Sequence, residues 1–91
     1  MPERLSDQEI EDRLPPEWER EGDEIVRQFS FDDYLEGVDF ASTVGELAEE
    51  EFHHPTIVID YGEVTVRFTS HEAGGITDRD LEMAELVSDR R

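Results

Sequence analysis

Hydrophobic positions along the chain fall into blocks of two periods, near 3.6 and near 2, punctuated by proline and glycine. Ser6-Asp7-Gln8-Glu9 has the spacing of a capping box, Ile10 and Leu14 follow at helical steps, and Pro15-Pro16 closes this first short helix. Glu17-Trp18-Glu19-Arg20 reads as a brief strand and Glu21-Gly22-Asp23 as a turn. Glu24 to Phe31 then alternates, with Ile25, Arg27, Phe29 and Phe31 on one face and Val26, Gln28 and Ser30 on the other. These two strands make a hairpin. The longest helical pattern runs from Asp32 or Asp33 to about Phe52, its apolar and small positions Tyr34, Val38, Ala41, Gly45, Ala48 and Phe52 stepping by 4, 3, 4, 3, 4. Phe40, Val44 and Leu47 widen that stripe, which predicts a helix with two buried faces, one against a sheet and one open to a partner subunit.

Pro55 stops the long helix. Ile57, Ile59 and Tyr61 alternate with Val58 and Asp60, Gly62-Glu63 turns the chain, and Val64, Val66 and Phe68 alternate with Thr65, Arg67 and Thr69, so a second hairpin follows. Ser70 to Ile76 is a loop holding Gly74-Gly75, and Thr77 opens a last helix with Leu81, Ala84 and Val87 or Ser88 at helical steps. The order α-β-β-α-β-β-α predicts an α+β fold, a four-stranded antiparallel sheet covered on one face by helices. Residues 1–91 read as one domain, without repeats or long linkers. A folded chain of 10.6 kDa should expose roughly 5,500 Å².

Charge changes the picture of where such a domain works. The chain has 8 Lys plus Arg, all of them arginine, against 26 Asp plus Glu, a net charge of −18. A field of that sign repels nucleic-acid phosphate and anionic lipid, so neither nucleic acid nor membrane is an expected partner. High acidity is also a mark of disorder, but here 35% of residues are hydrophobic and they fall into periodic blocks. The composition fits a cell interior at molar salt, where the Debye length shrinks to about 3 Å and repulsion between carboxylates is screened. Structure lost on dialysing the salt away, followed by circular dichroism, is the expected result; unchanged stability would sink the idea. Without cysteine there is no disulfide framework, thiolate nucleophile or Cys-ligated zinc. No apolar h-region follows Met1 and no run approaches the ~18 residues that span a bilayer, so a cytoplasmic location is expected.

The candidate chemistry lies in three histidines. His53 and His54 adjoin at the end of the long helix, and His71 follows the last strand. If the second hairpin runs away from the helix end and returns, His71 comes back beside the pair. Imidazole both gives and takes a proton near neutral pH. Glu49, four residues before His53, shares its helix face and could fix its tautomer. Plainer readings stand beside these: a His pair before proline can be a solvated helix cap, Glu49-Glu50-Glu51 is surface, and Asp80, three after Thr77, is first a capping-box acid. Glu49, His53, His54 and His71 also have the ligand types of a metal site, although adjacent histidines rarely reach one ion.

Taken together, Glu49, His53-His54-Pro55, Tyr61, His71 and Asp80 form the pattern E-x3-H-H-P-x5-Y-x9-H-x8-D, seven positions over 32 residues. This closely resembles the signature of the pterin-4a-carbinolamine dehydratases. The resemblance extends to Phe29-Ser30-Phe31, to the helix from Asp33 to Phe52 and to the run from Thr69 to Asp80, and covers the chain from about Trp18 to Val87. It departs from the family at Thr56-Ile57, where many members place an acidic residue and a tryptophan. The resemblance implies dehydration of a 4a-hydroxytetrahydropterin, the product left by an aromatic amino acid hydroxylase, to the quinonoid dihydropterin, with no metal, flavin or nicotinamide cofactor. Carried over by position, His53 and His71 would be the proton-transfer pair, His54 would bind and orient the pterin, and Glu49 and Asp80 would support them. Pro55 and Ser70-His71-Glu72-Ala73 would line the pterin, and Gly74-Gly75 would let the backbone approach it. The family also implies a homodimer or homotetramer with a small-molecule pterin substrate. A non-catalytic dimerising scaffold of the same fold is the alternative.

Overall fold

A computed structural model describes residues 3–91. The elements are α1 (Asp7–Arg13), β1 (Glu19–Glu21), β2 (Glu24–Ser30), α2 (Tyr34–Glu51), β3 (Thr56–Asp60), β4 (Glu63–Phe68), a single 3₁₀ turn (His71–Ala73) and α3 (Asp78–Ser88). The expected order and the α+β class are both found. All strand pairings are antiparallel, and the sheet order is β1-β2-β4-β3, which puts the two longest strands at the centre. Accessible surface is 5648 Å², close to the value expected for the mass.

Register places the core. Ile25 pairs with Phe68, Arg27 with Val66 and Phe29 with Val64, so the alternation read in β2 meets the alternation of β4 on one face. Ile25, Val64, Val66 and Phe68 are fully buried there. Burial of each such side chain contributes about 1.5–3 kcal/mol. The helices close this face: Phe40, Ala41, Val44, Leu47 and Ala48 of α2 and Leu81, Met83, Ala84 and Val87 of α3 are buried. Gly37 lets α2 lie close, since a Cβ there would stand 3.2 Å from a Val64 methyl.

Two expectations are corrected. The strand predicted over Glu17–Arg20 is β1, Glu19–Glu21: the Trp18 amide donates to the Pro15 carbonyl (3.2 Å), and Glu17 has φ 76°. This turn swings the Trp18 ring into the core, edge-on to Phe29, with Nε1 donating to Ser88 Oγ (2.9 Å). The second correction concerns α2. Its core face is the Phe40, Val44, Leu47 side, while the ends of the predicted stripe, Tyr34 and Phe52, are exposed.

Candidate active site

The site is built where α2 ends. Asp33 caps its start, and Phe52 ends it in the left-handed region, φ 54°, ψ 44°. The amides of both Phe52 and His53 donate to the Ala48 carbonyl, the latter at 3.0 Å in the six-to-one bond of a Schellman-type end. A non-glycine residue in this conformation costs roughly 1–2 kcal/mol. The turn sends His53 and His54 in different directions.

His53 goes inward, 8% exposed, its ring stacked on Phe68 with centroids 6.0 Å apart and planes at 8°. Its Nε2 lies 2.5 Å from Oδ1 of Asp80, which is 0% exposed on the first turn of α3. The other carboxylate oxygen accepts from the Thr77 amide (2.9 Å) and from Ser70 Oγ (2.8 Å). Ser70 has one hydroxyl proton, so the 2.8 Å contact between Ser70 Oγ and Thr77 Oγ1 is donated by Thr77. With the Thr77 amide and the Ser70 hydroxyl already donating to Oδ2, the ring tautomer that fits is the one in which His53 Nε2–H donates to Oδ1. Nδ1 is the ring nitrogen turned away from Asp80.

His54 goes outward. It is half-exposed, lies edge-on to Phe52 and pairs through Nε2 with Glu49. Glu49 was expected to serve His53 by helical spacing. That spacing fails because the left-handed Phe52 breaks the helix one residue before His53, and the carboxylate meets His54 instead. His71 opens the 3₁₀ turn immediately after Ser70 and is exposed, as is Glu72; its ring makes no hydrogen bond among the described residues. Ser70 and Gly75 exchange backbone hydrogen bonds (3.0 and 3.3 Å), closing the loop that carries His71, Glu72 and Ala73 outward. The hairpin therefore does return this loop to the end of α2, with Asp80 bonded to both His53 and Ser70. Tyr61 is 78% exposed at the hairpin tip, a full strand away from Pro55.

Ser70 does not line an open surface as expected. It is 2% exposed, its hydroxyl is used by Asp80 and Thr77, and its carbonyl accepts from Ala73 and Gly75. The two glycines also divide their work. Gly74 needs its φ of 73°, whereas Gly75 is covered by Arg4, whose Cδ would stand 2.5 Å from an added Cβ. The close approach at Gly75 is thus made by this chain's own arginine stem. Arg79 is a residue that spacing did not single out: its Nη2 donates to the carbonyls of Glu51 (3.0 Å) and Phe52 (2.9 Å). The signal was three glutamates at the end of a helix without a base in its last turn. Among the described residues, no three His, Cys, Asp or Glu side chains gather closely enough to hold a metal ion.

Residues 3–90 match the family model described as pterin 4 alpha carbinolamine dehydratase. The chain belongs to that family. A Halobacterium salinarum protein named "Putative pterin-4-alpha-carbinolamine dehydratase" is 57% identical over 91 residues, 100% of both chains. A protein of the same name from Natronomonas pharaonis is 59% identical over 85 residues, 93% of this chain and 92% of its own. The fold matches the crystal structure of a transcriptional coactivator/pterin dehydratase from Brucella melitensis, with TM-score 0.87 and 27% identity over 94% of this chain and 96% of that one. It also matches a pterin dehydratase-like protein identified as a RuBisCO assembly factor, with TM-score 0.63 and 19% identity over 79% and 83%, a likeness of fold alone. Where many dehydratases of the family carry an acidic residue and tryptophan, this chain has exposed Thr56 and half-buried Ile57, the latter packed on the core.

Proposed function

We propose that this chain dehydrates a 4a-hydroxytetrahydropterin to the quinonoid dihydropterin and water, returning the tetrahydropterin of an aromatic amino acid hydroxylase to use. The observation that carries the reading is the buried His53–Asp80 pair with its Ser70 and Thr77 support. Dehydration breaks the C4a–O bond and the N5–H bond and forms C4a=N5, so one group must give the leaving hydroxyl a proton and another must take the N5 proton. His53 and His71 form that pair. Asp80 fixes the His53 tautomer and faces the positive charge formed when Nδ1 takes up a proton. His54, held by Glu49, binds and orients the pterin, with Pro55, Glu72 and Ala73 as further lining. Ser70 acts through Asp80.

The same reading includes self-association in a cytoplasm of high salt. Tyr34 and Leu35 on α2 and Val58 and Ile59 on the edge strand β3 leave apolar surface open to a second copy, as in a homodimer or homotetramer. The test is the dehydration rate of a 4a-hydroxytetrahydropterin made in situ by a hydroxylase, in molar potassium chloride. Wild type should exceed the uncatalysed rate, and His53→Ala or His71→Ala should lose about 10²–10⁴-fold of the acceleration. A folded chain with no acceleration would leave the scaffold reading in its place.

A further inference from the structure

Arg79 stands beside Asp80 on the first turn of α3 and reaches across to the end of α2. Three features of that helix end call for it. The last carbonyls of a helix have no donor within the helix. Glu49, Glu50 and Glu51 place three carboxylates at the negative pole of the helix, with no base in the last turn. Phe52, which leads into His53, holds a backbone conformation suited to glycine. The guanidinium answers all three, because it supplies donors to the carbonyls of Glu51 and Phe52, brings a cation to the pole, and through the Phe52 carbonyl fixes the peptide plane that joins Phe52 to His53.

We propose that Arg79 is a positioning residue for the two histidines: its clamp holds the left-handed turn that aims His53 at Asp80 and sets His54 against Glu49. Only the kinetic consequence rests on the dehydratase reading; the orientation of the rings does not. Lysine at 79 keeps the charge and donors but not the planar fork. Glycine at 52 adopts the left-handed turn without a clamp.

The experiment compares Arg79→Ala, Arg79→Lys, Phe52→Gly and the Phe52→Gly/Arg79→Ala double variant of the full chain in molar potassium chloride. It reads kcat, KM and the ring-nitrogen NMR signature of His53. Arg79→Ala should lower kcat about 10- to 100-fold, the size of effect that follows displacement of reacting groups by an ångström. It should also remove the single Nε2–H signature of His53, and Arg79→Lys should restore part of both. In the Phe52→Gly background the loss caused by Arg79→Ala should shrink several-fold, a non-additivity that a general loss of stability does not produce. An unchanged His53 signature in Arg79→Ala, or an equal loss in both backgrounds, would overturn the clamp. If Arg79→Ala does not fold, the lysine and double variants carry the same readouts. A wild type without turnover would count against the dehydratase reading, while the His53 signature would still decide the clamp.

Discussion

Two helices of this chain begin with the same device in different surroundings. At α1, Ser6 Oγ accepts from the Glu9 amide (3.2 Å) and Glu9 Oε1 accepts from the Ser6 amide (3.0 Å), in full solvent. At α3, Thr77 and Asp80 form the equivalent capping box with both residues 0% exposed. In solvent the box does one task, satisfying amides that the helix leaves open. Once buried, its carboxylate cannot fall back on water, so its second oxygen must find protein donors, and it finds His53. Burial turned a local cap into a shared acceptor that joins α2, the His71 loop and α3.

The sharpest way to break this contrast is Asp80→Asn. It removes the charge facing His53 and leaves donors aimed at an amide, and it should cost about 3 kcal/mol in denaturant unfolding at molar salt. The proposed dehydration should fall by at least ~10²-fold. A cost no larger than that of a solvent-exposed cap would mean the buried box is only a cap. Ser70→Ala comes next. It deletes one donor to a buried carboxylate and leaves Thr77 Oγ1 without its acceptor, for about 1–2 kcal/mol and a smaller loss of rate than Asp80→Asn. An unaltered rate together with lost stability would show that Ser70 supports the fold and not the site.

Most of this architecture was legible because it is local. Period 2 marked both hairpins, period 3.6 marked the helices, and Thr77 with Asp80 announced a capping box by spacing alone. The second oxygen of Asp80 was not legible in that way, since its partner His53 lies 27 residues away in sequence. Only the family resemblance put the two in one site. Helical spacing carried through Phe52 pairs Glu49 with the wrong histidine, because phenylalanine gives no sign of a left-handed turn. The Arg79 contact and the Arg4 stem over Gly75 are tertiary events without a periodic trace.

Ser6→Ala tests the exposed member of the comparison. It should cost about 1 kcal/mol, in the range for a lost N-cap, and leave the dehydration rate at its wild-type value. A large loss of rate would join α1 to the site and undo the distinction between the two boxes.

The smallest effect belongs to Glu9, and its sign follows from its surroundings. The hydrogen bond from the Ser6 backbone, then that from the Ser6 side chain, then the charge of Arg13 hold the Glu9 carboxyl below the usual glutamate range. A carboxyl with a lowered value in the folded state contributes stability that is complete above the ordinary value and disappears as pH falls through the lowered one. Glu9→Gln should therefore be slightly less stable than wild type at neutral pH, and the two melting temperatures should converge on acidification through the carboxylate range. Because the group is fully solvated, the gap should also narrow as potassium chloride is added. The hydrogen-bond part should persist at molar salt, since only the charge contributions are screened, the larger from Arg13 and a smaller opposing one from Asp78. A gap that widened on acidification would mean that the exposed box is held by something other than its ionised carboxylate.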